Sequence, residues 1–379
     1  MQTTQLLVTG VLLVALTEVS VAQTVHIVGN GNYPTMQAAI DAAAPGDIVQ
    51  VGAGIYPAFQ LAKPLTIAAE PSALVQIVTS GSIDFDLQLG DRVHLGGLDI
   101  QASAITVHGG IVSAERCTIR TDLGLQLVDC VMTLRWSAAG GQNGSGVLVQ
   151  DAHLHASDCS FSSAAGGLDR IEHGAVKVIG NSACHLALCS LHGAWPLLPN
   201  KPWPSTGLLA PTATAANARI WLVDCNFVGG YQPSGLQGPA LAVPSVAASR
   251  ARAHRCQATG IVVGNLELGR VLGVHTPVDL QIGGTFTTRM LGEPGHPLLL
   301  YVGTETLGLV PLPLVEQPAL QFADMVVLGT ILADAQGAAD FALTVPNNPS
   351  LRHLQVWWRG LDLHTMPWQA TPAFVTLVQ

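Results

Sequence analysis

Residues 222–227 read Leu222-Val223-Asp224-Cys225-Asn226-Phe227, and the pattern behind that hexapeptide recurs along the chain. Aligned on Cys117, Cys130, Cys159, Cys189, Cys225 and Cys256, the positions five before are Val112, Leu125, Leu154, Cys184, Ile220 and Ala251. The positions three before are Ala114, Leu127, Ala156, Leu186, Leu222 and Ala253, and those two after are Ile119, Met132, Phe161, Leu191, Phe227 and Ala258. Apolar residues two apart on either side describe strands with one face turned inward. The parity changes at the residue before each cysteine, which is Asp129, Asp158 or Asp224 in three of the units. Asp tolerates a left-handed backbone, so each unit reads as strand, one-residue bend, second short strand.

A further strand opens on glycine upstream in most units, at Gly146, Gly174, Gly207, Gly238 and Gly260. Most steps between cysteines span about 28 to 36 residues, a repeat length that suits a solenoid of short parallel strands; Cys117 to Cys130 stands out as a short step. Leucine-rich repeats would need an asparagine consensus that is missing, and propeller blades would need hairpins that are not found. At the front, Thr35 is a good N-cap for a helix that places Met36, Ala39, Ile40 and Ala43 on one face. Such a helix would cover the open end of the first coil, whose unpaired strand edge would otherwise recruit another chain.

The run from Tyr33 to Tyr56, continuing through Lys63-Pro64-Leu65-Thr66-Ile67, resembles the N-terminal cap and first coil of the pectin lyase-like right-handed parallel β-helix superfamily. The cysteine-bearing units are similar to that superfamily's coil repeat, and the resemblance covers about residues 24–280. It implies an all-β chain with a right-handed parallel β-helix. It says little about activity, because members include polysaccharide lyases, hydrolases, esterases and proteins without known activity. Galacturonan hydrolases of the superfamily resemble one another in Asn-Thr-Asp, Asp-Asp and Arg-Ile-Lys runs, and none of these occurs here.

Composition sets outer limits. The 379 residues are 49% hydrophobic but only 11% charged, with 40 Gly and 23 Pro. That excludes a disordered chain and implies many tight turns. A net charge of −9 disfavours nucleic acid and anionic lipid as partners. Residues 6–17 have the length of a signal-peptide h-region, with Ser20 and Ala22 placed for cleavage after Ala22. The expected organisation is therefore a signal peptide at 1–22, the β-helix at 23–284 and a small β-sandwich at 285–379, in a secreted or cell-surface protein. No transmembrane segment is expected after cleavage. The sandwich is suggested by alternating runs at 339–345 and 354–358, where one ring of Trp357-Trp358 would face in and the other out. It could bind sugar, anchor the protein to the envelope, or cap the solenoid. The seven cysteines are read as stacked, buried thiols rather than disulfides.

Candidate chemistry gathers where the coils swell, at 137–145, 162–173, 192–206 and 229–237. Insertions at one phase of a solenoid stack on one side. They would bring Trp136, Gln142, Asn143, Trp195, Lys201, Trp203, Tyr231 and Gln232 together as a ligand-binding face, since aromatic rings flanked by amides suit sugars. Asp169 and Glu172 are the candidate catalytic acids, and His173, Arg170 or Lys201 the candidate bases. The competing expectation is that these loops only pack over the coil. His153, His155 and Asp158 could form a metal site, though an outward strand face explains the two histidines equally well. No cofactor is expected, and calcium would need a carboxylate cluster that the first half of the chain lacks. Three functions stay open: recognition of an extended polysaccharide or cell-envelope glycan, a polysaccharide lyase or glycoside hydrolase, and a structural or adhesive surface protein.

Overall fold

The computed structural model describes residues 23–29, 31–163, 174–193, 206–209, 218–229, 239–243, 250–254, 256–259, 261–264, 266–268, 273–276, 279–304, 306–310, 319–322, 324–351, 354–364, 366, 368–371 and 374–378. They fall into two compact units that divide between Gly269 and Arg270. The signal peptide expected at 1–22 lies outside the described residues. Among the described residues no helix is long and apolar enough to cross a membrane.

The first unit is a parallel β-solenoid. The coils contribute strands in turn to three sheets, which hold eleven, nine and eight strands. Parallel neighbours need a long crossover between them, and here the other two strands of the coil supply it. In the first sheet Val112, Met132, Leu154, Cys184 and Ile220 are register partners on successive strands. All five are buried, so alternation in the sequence becomes an apolar column inside the cylinder.

The corner from the first sheet to the second has a constant build. Arg116, Trp136, Asp158, Leu188 and Asp224 take φ between 43° and 54°, the left-handed bend anticipated ahead of the cysteines. The next residue, Cys117, Ser137, Cys159, Cys189 or Cys225, turns inward and is buried. A bend of this kind leaves carbonyls without strand partners, and buried carbonyls need donors. The Cys225 thiol lies 3.2 Å from the Val223 carbonyl and 3.3 Å from that of Leu186 on the preceding coil. Cys189 repeats the arrangement with Ala187 at 3.2 Å and Ala156 at 3.6 Å. No disulfide joins any of the seven cysteines. Burial pushes the Cys117 thiol up to about 11 and Cys130 to about 12, which keeps both protonated as donors.

One part of the sequence alignment is corrected. Cys130 does not share the corner of the other cysteines; it follows Asp129 between strand Leu125–Val128 of the third sheet and strand Val131–Arg135 of the first. Leu125 and Leu127 are third-sheet residues, and Ser137 holds the position in phase with Cys117 and Cys159. The Cys117 to Cys130 step is therefore no short coil. Two corners of one coil each need a left-handed residue followed by a small buried one, and the local sequence is alike at both.

The capping helix α1 (Met36–Ala42) forms as expected. The Thr35 hydroxyl accepts the Ala38 amide hydrogen at 3.2 Å, and Met36, Ala39 and Ile40 join the solenoid core. Asp47 fastens the entry to the first coil. Its carboxylate accepts the amide hydrogens of Thr24 at 2.9 Å and Ala44 at 2.8 Å and lies 3.0 Å from His26 Nε2.

In the second unit an antiparallel sheet of three strands (Gly273–His275, Thr285–Leu291, Ala338–Thr344) faces a sheet of six. Met290 and Phe341 from one share a core with Leu298, Leu300, Val356 and Trp358 from the other, which makes a small sandwich. Strands Gly273–His275 and Asp279–Leu280 pair within it, so its pairing begins ahead of residue 285, where the repeat fades in the sequence. The expectation of one outward tryptophan fails. Trp358 lies in the core with Nε1 donating to Thr376 Oγ1 at 2.8 Å, and Trp357 on the opposite face is buried as well.

Candidate functional site

On the outer face of the second sheet, the column next to the first corner carries small side chains over four coils. Thr118, Ala138, Ser160 and Ser190 form one column across four coils, and Arg120, Gly140, Ser162 and His192 form the next. Small residues leave a flat floor; a Cβ on Gly140 would stand 2.8 Å from Ser162 Oγ. Along one side the left-handed corner residues turn their side chains outward, so that Arg116, Trp136, Asp158 and Leu188 stand as a wall. The first column and the wall line an open trough of about 590 Å3. Successive coils lie about 4.8 Å apart, which gives the trough a repeating, one-dimensional character.

Trp136 is half-buried and held from behind, since the guanidinium carbon of buried Arg135 lies 4.6 Å from the ring centroid. This cation–π contact fixes the ring as a platform. Asp158, also half-buried, has its carboxyl pushed above the ordinary range by burial, with Arg135 pulling the other way. It is the one acid among the described residues that line the trough.

Polar groups on the outer face of the first sheet are buried instead. His94 Nδ1 lies 2.9 Å from Ser113 Oγ, a serine–histidine pair on paper. Both residues are buried, and burial, aided by the charge of Arg116, holds His94 at about 4, so the pair reads as packing. The His155 ring packs against that of His185, with centroids 4.9 Å apart and planes tilted by 33°. Asp158 is itself the bend residue and stands on the trough wall, and among the described residues no three histidine, cysteine or acidic side chains are placed to hold a metal ion.

Of the ligand-binding residues expected from sequence, Trp136 stands at a different corner from Gln142 and Asn143. Residues 137–145 are not an insertion: Ala138–Gly141 is a floor strand. Trp136 stands before it at the first corner. Gln142 and Asn143 follow it at the second, with their amide hydrogens donated to Thr121 O and Asp122 O, both at 2.7 Å. Trp136 and Asn143 thus flank the floor from opposite sides. Asp169, Arg170, Glu172, His173, Trp195, Lys201, Trp203, Tyr231 and Gln232 lie outside the described residues. The segments that contain them follow second-sheet strands Ser160–Ser163, Ser190–His192 and Asn226–Val228, which is the chain position of Asn143. Sequence reasoning missed Arg116, Ser160 and Ser190. For Arg116 the signal was available, because a left-handed residue before a buried one points its side chain outward; Ser160 and Ser190 open strands and carry no such mark.

Compared with protein families and with curated proteins, the sequence finds no match. A solved structure from Geobacillus virus E2, ORF18, aligns over 90% of this chain and 72% of its own, at 9% identity and a TM-score of 0.28. That likeness is too slight to bear on fold or activity.

Proposed function

We propose that this protein is exported and binds an extended polysaccharide along the second-sheet trough. The observation that carries the reading is the Trp136 platform beside a floor of hydroxyls. A pyranose has apolar faces and polar edges, which suit an aromatic ring flanked by Ser160, Thr118 and Arg116. The repeat of the trough from coil to coil suits a ligand that is itself a repeat. Binding without cleavage is the favoured form, since hydrolysis by paired carboxylates needs a second acid across the scissile bond from the first, and Asp158 stands without one among the described lining residues. The apolar stretch 6–17 supports export.

The test is affinity electrophoresis against a panel of neutral and acidic polysaccharides. Retardation by one of them is expected, with no new reducing ends or unsaturated products, and Trp136→Ala should weaken it at least tenfold, about 1.4 kcal/mol. Retardation that Trp136→Ala leaves intact would place the ligand elsewhere. Product release would make the protein an enzyme.

A further inference from the structure

The corner thiols form a row whose last rung differs from the rest. Cys159, Cys189, Cys225 and Cys256 occupy the same corner position on four successive coils, each one residue ahead of the register partners Ser160, Ser190, Asn226 and Gln257. The first three are buried, whereas Cys256 is half-buried and precedes the exposed residues Gln257, Ala258 and Thr259. The two last rungs are in register, since Asn226 pairs with Gln257 and the Gln257 amide hydrogen reaches the Cys225 carbonyl at 2.9 Å. Adjacent parallel strands lie about 4.8 Å apart, inside the roughly 4.4–6.8 Å Cα separation that a disulfide spans.

We propose that Cys225 and Cys256 are a site of thiol–disulfide exchange, closed into a cross-coil disulfide by an oxidised small thiol such as glutathione disulfide. Cys256, the accessible member, attacks as its thiolate on one sulfur of the oxidant and releases one equivalent of reduced thiol, forming a mixed disulfide. Cys225 then attacks the Cys256 sulfur, its proton leaving with the second equivalent of reduced thiol. Both protein thiols are oxidised and one oxidant disulfide is reduced to two thiols. The inner rungs do not follow, because Cys159 and Cys189 are shielded from the oxidant and Cys189 is packed between two coils. The cross-link ties the chain into a closed loop at the C-terminal end of the thiol row, where Cys256 packs against the core from a half-buried position. Chain closure of this kind raises stability by restricting the unfolded state.

The full chain is incubated with glutathione disulfide, alkylated, and mapped by non-reducing peptide mass spectrometry. One disulfide, Cys225 to Cys256, is expected, with an intact mass lower by two hydrogens and an unfolding temperature higher by about 5 °C. Cys225→Ser, which places at this corner the residue already present at Ser137, should stop at a glutathione adduct on Cys256. Seven alkylated cysteines, a bridge between Cys159 and Cys189, or a Cys256-linked dimer would each overturn the proposal. Because the readout is covalent, its failure leaves the polysaccharide reading untouched.

Discussion

Ser137 takes the place of a thiol in the corner row: its hydroxyl accepts the amide hydrogen of Cys117 at 3.1 Å and donates to the Arg135 carbonyl at 2.8 Å. Serine and cysteine therefore do the same work at this position. Cys159→Ser or Cys189→Ser should change the free energy of unfolding by no more than about 1 kcal/mol, the net scale of one hydrogen bond. Cys189→Leu, which overfills the corner, should cost about 1–3 kcal/mol. Urea denaturation of the three variants separates the two effects. A large loss on Cys189→Ser would mean that the row is held by sulfur packing rather than by donors.

Acid should loosen the cap at Asp47. Burial by itself would raise the carboxyl's pKa, but the amide hydrogens of Thr24 and Ala44 and the imidazole of His26 more than reverse this, and it lies below the ordinary 3.8. A carboxyl that is more acidic in the folded chain adds stability above its unfolded value and loses it as pH falls through the folded one. Asp47→Asn should therefore cost about 1.5–3 kcal/mol at neutral pH, with the difference from the parent shrinking below the ordinary carboxyl range. Denaturant titrations at a series of pH values measure it, and a constant gap across the acid limb would contradict the assignment.

Leu188 holds a left-handed backbone, φ 54°, with a side chain that is 42% exposed. At the equivalent corners Asp158 and Asp224 are better suited to that conformation. Leu188→Asn should stabilise the protein by up to about 1 kcal/mol, and Leu188→Ile should destabilise it, because a β-branched residue is worst in this region. Thermal unfolding of the pair reads both signs.

Ser160 is an exposed floor residue between Thr118 and Ser190. Ser160→Tyr would fill the trough from below without entering the core. Polysaccharide retardation should fall at least tenfold while the unfolding free energy moves by no more than about 0.5 kcal/mol. Unchanged retardation would show that the trough is not the binding surface.

How much of this was legible follows from where the information sits. Inward columns such as Val112–Met132–Leu154 are dictated by two-residue alternation, which any window of the sequence displays. The helix cap is equally local, since Thr35 and the spacing of Met36, Ala39 and Ile40 lie within one short segment. The phase of Cys130 was not legible, because a coil with three faces has several corners of like composition and only strand pairing tells them apart. For the same reason the sequence does not show that a floor strand separates Trp136 from Asn143. Alternation gives the face of a strand and not what lies against that face, so it does not show that Trp357 is buried.

The first corner stays two residues long, from Arg116-Cys117 to Asp224-Cys225, while the passage from the second sheet to the third runs from Ser103 alone to the whole of 193–205. Length variation is thereby kept out of the first corner, and the passage from the third sheet to the first varies too, from 109–110 to 210–218. A change of length in those passages leaves the pairing of the short first corner, and with it the stacking of the buried row behind it, where it was.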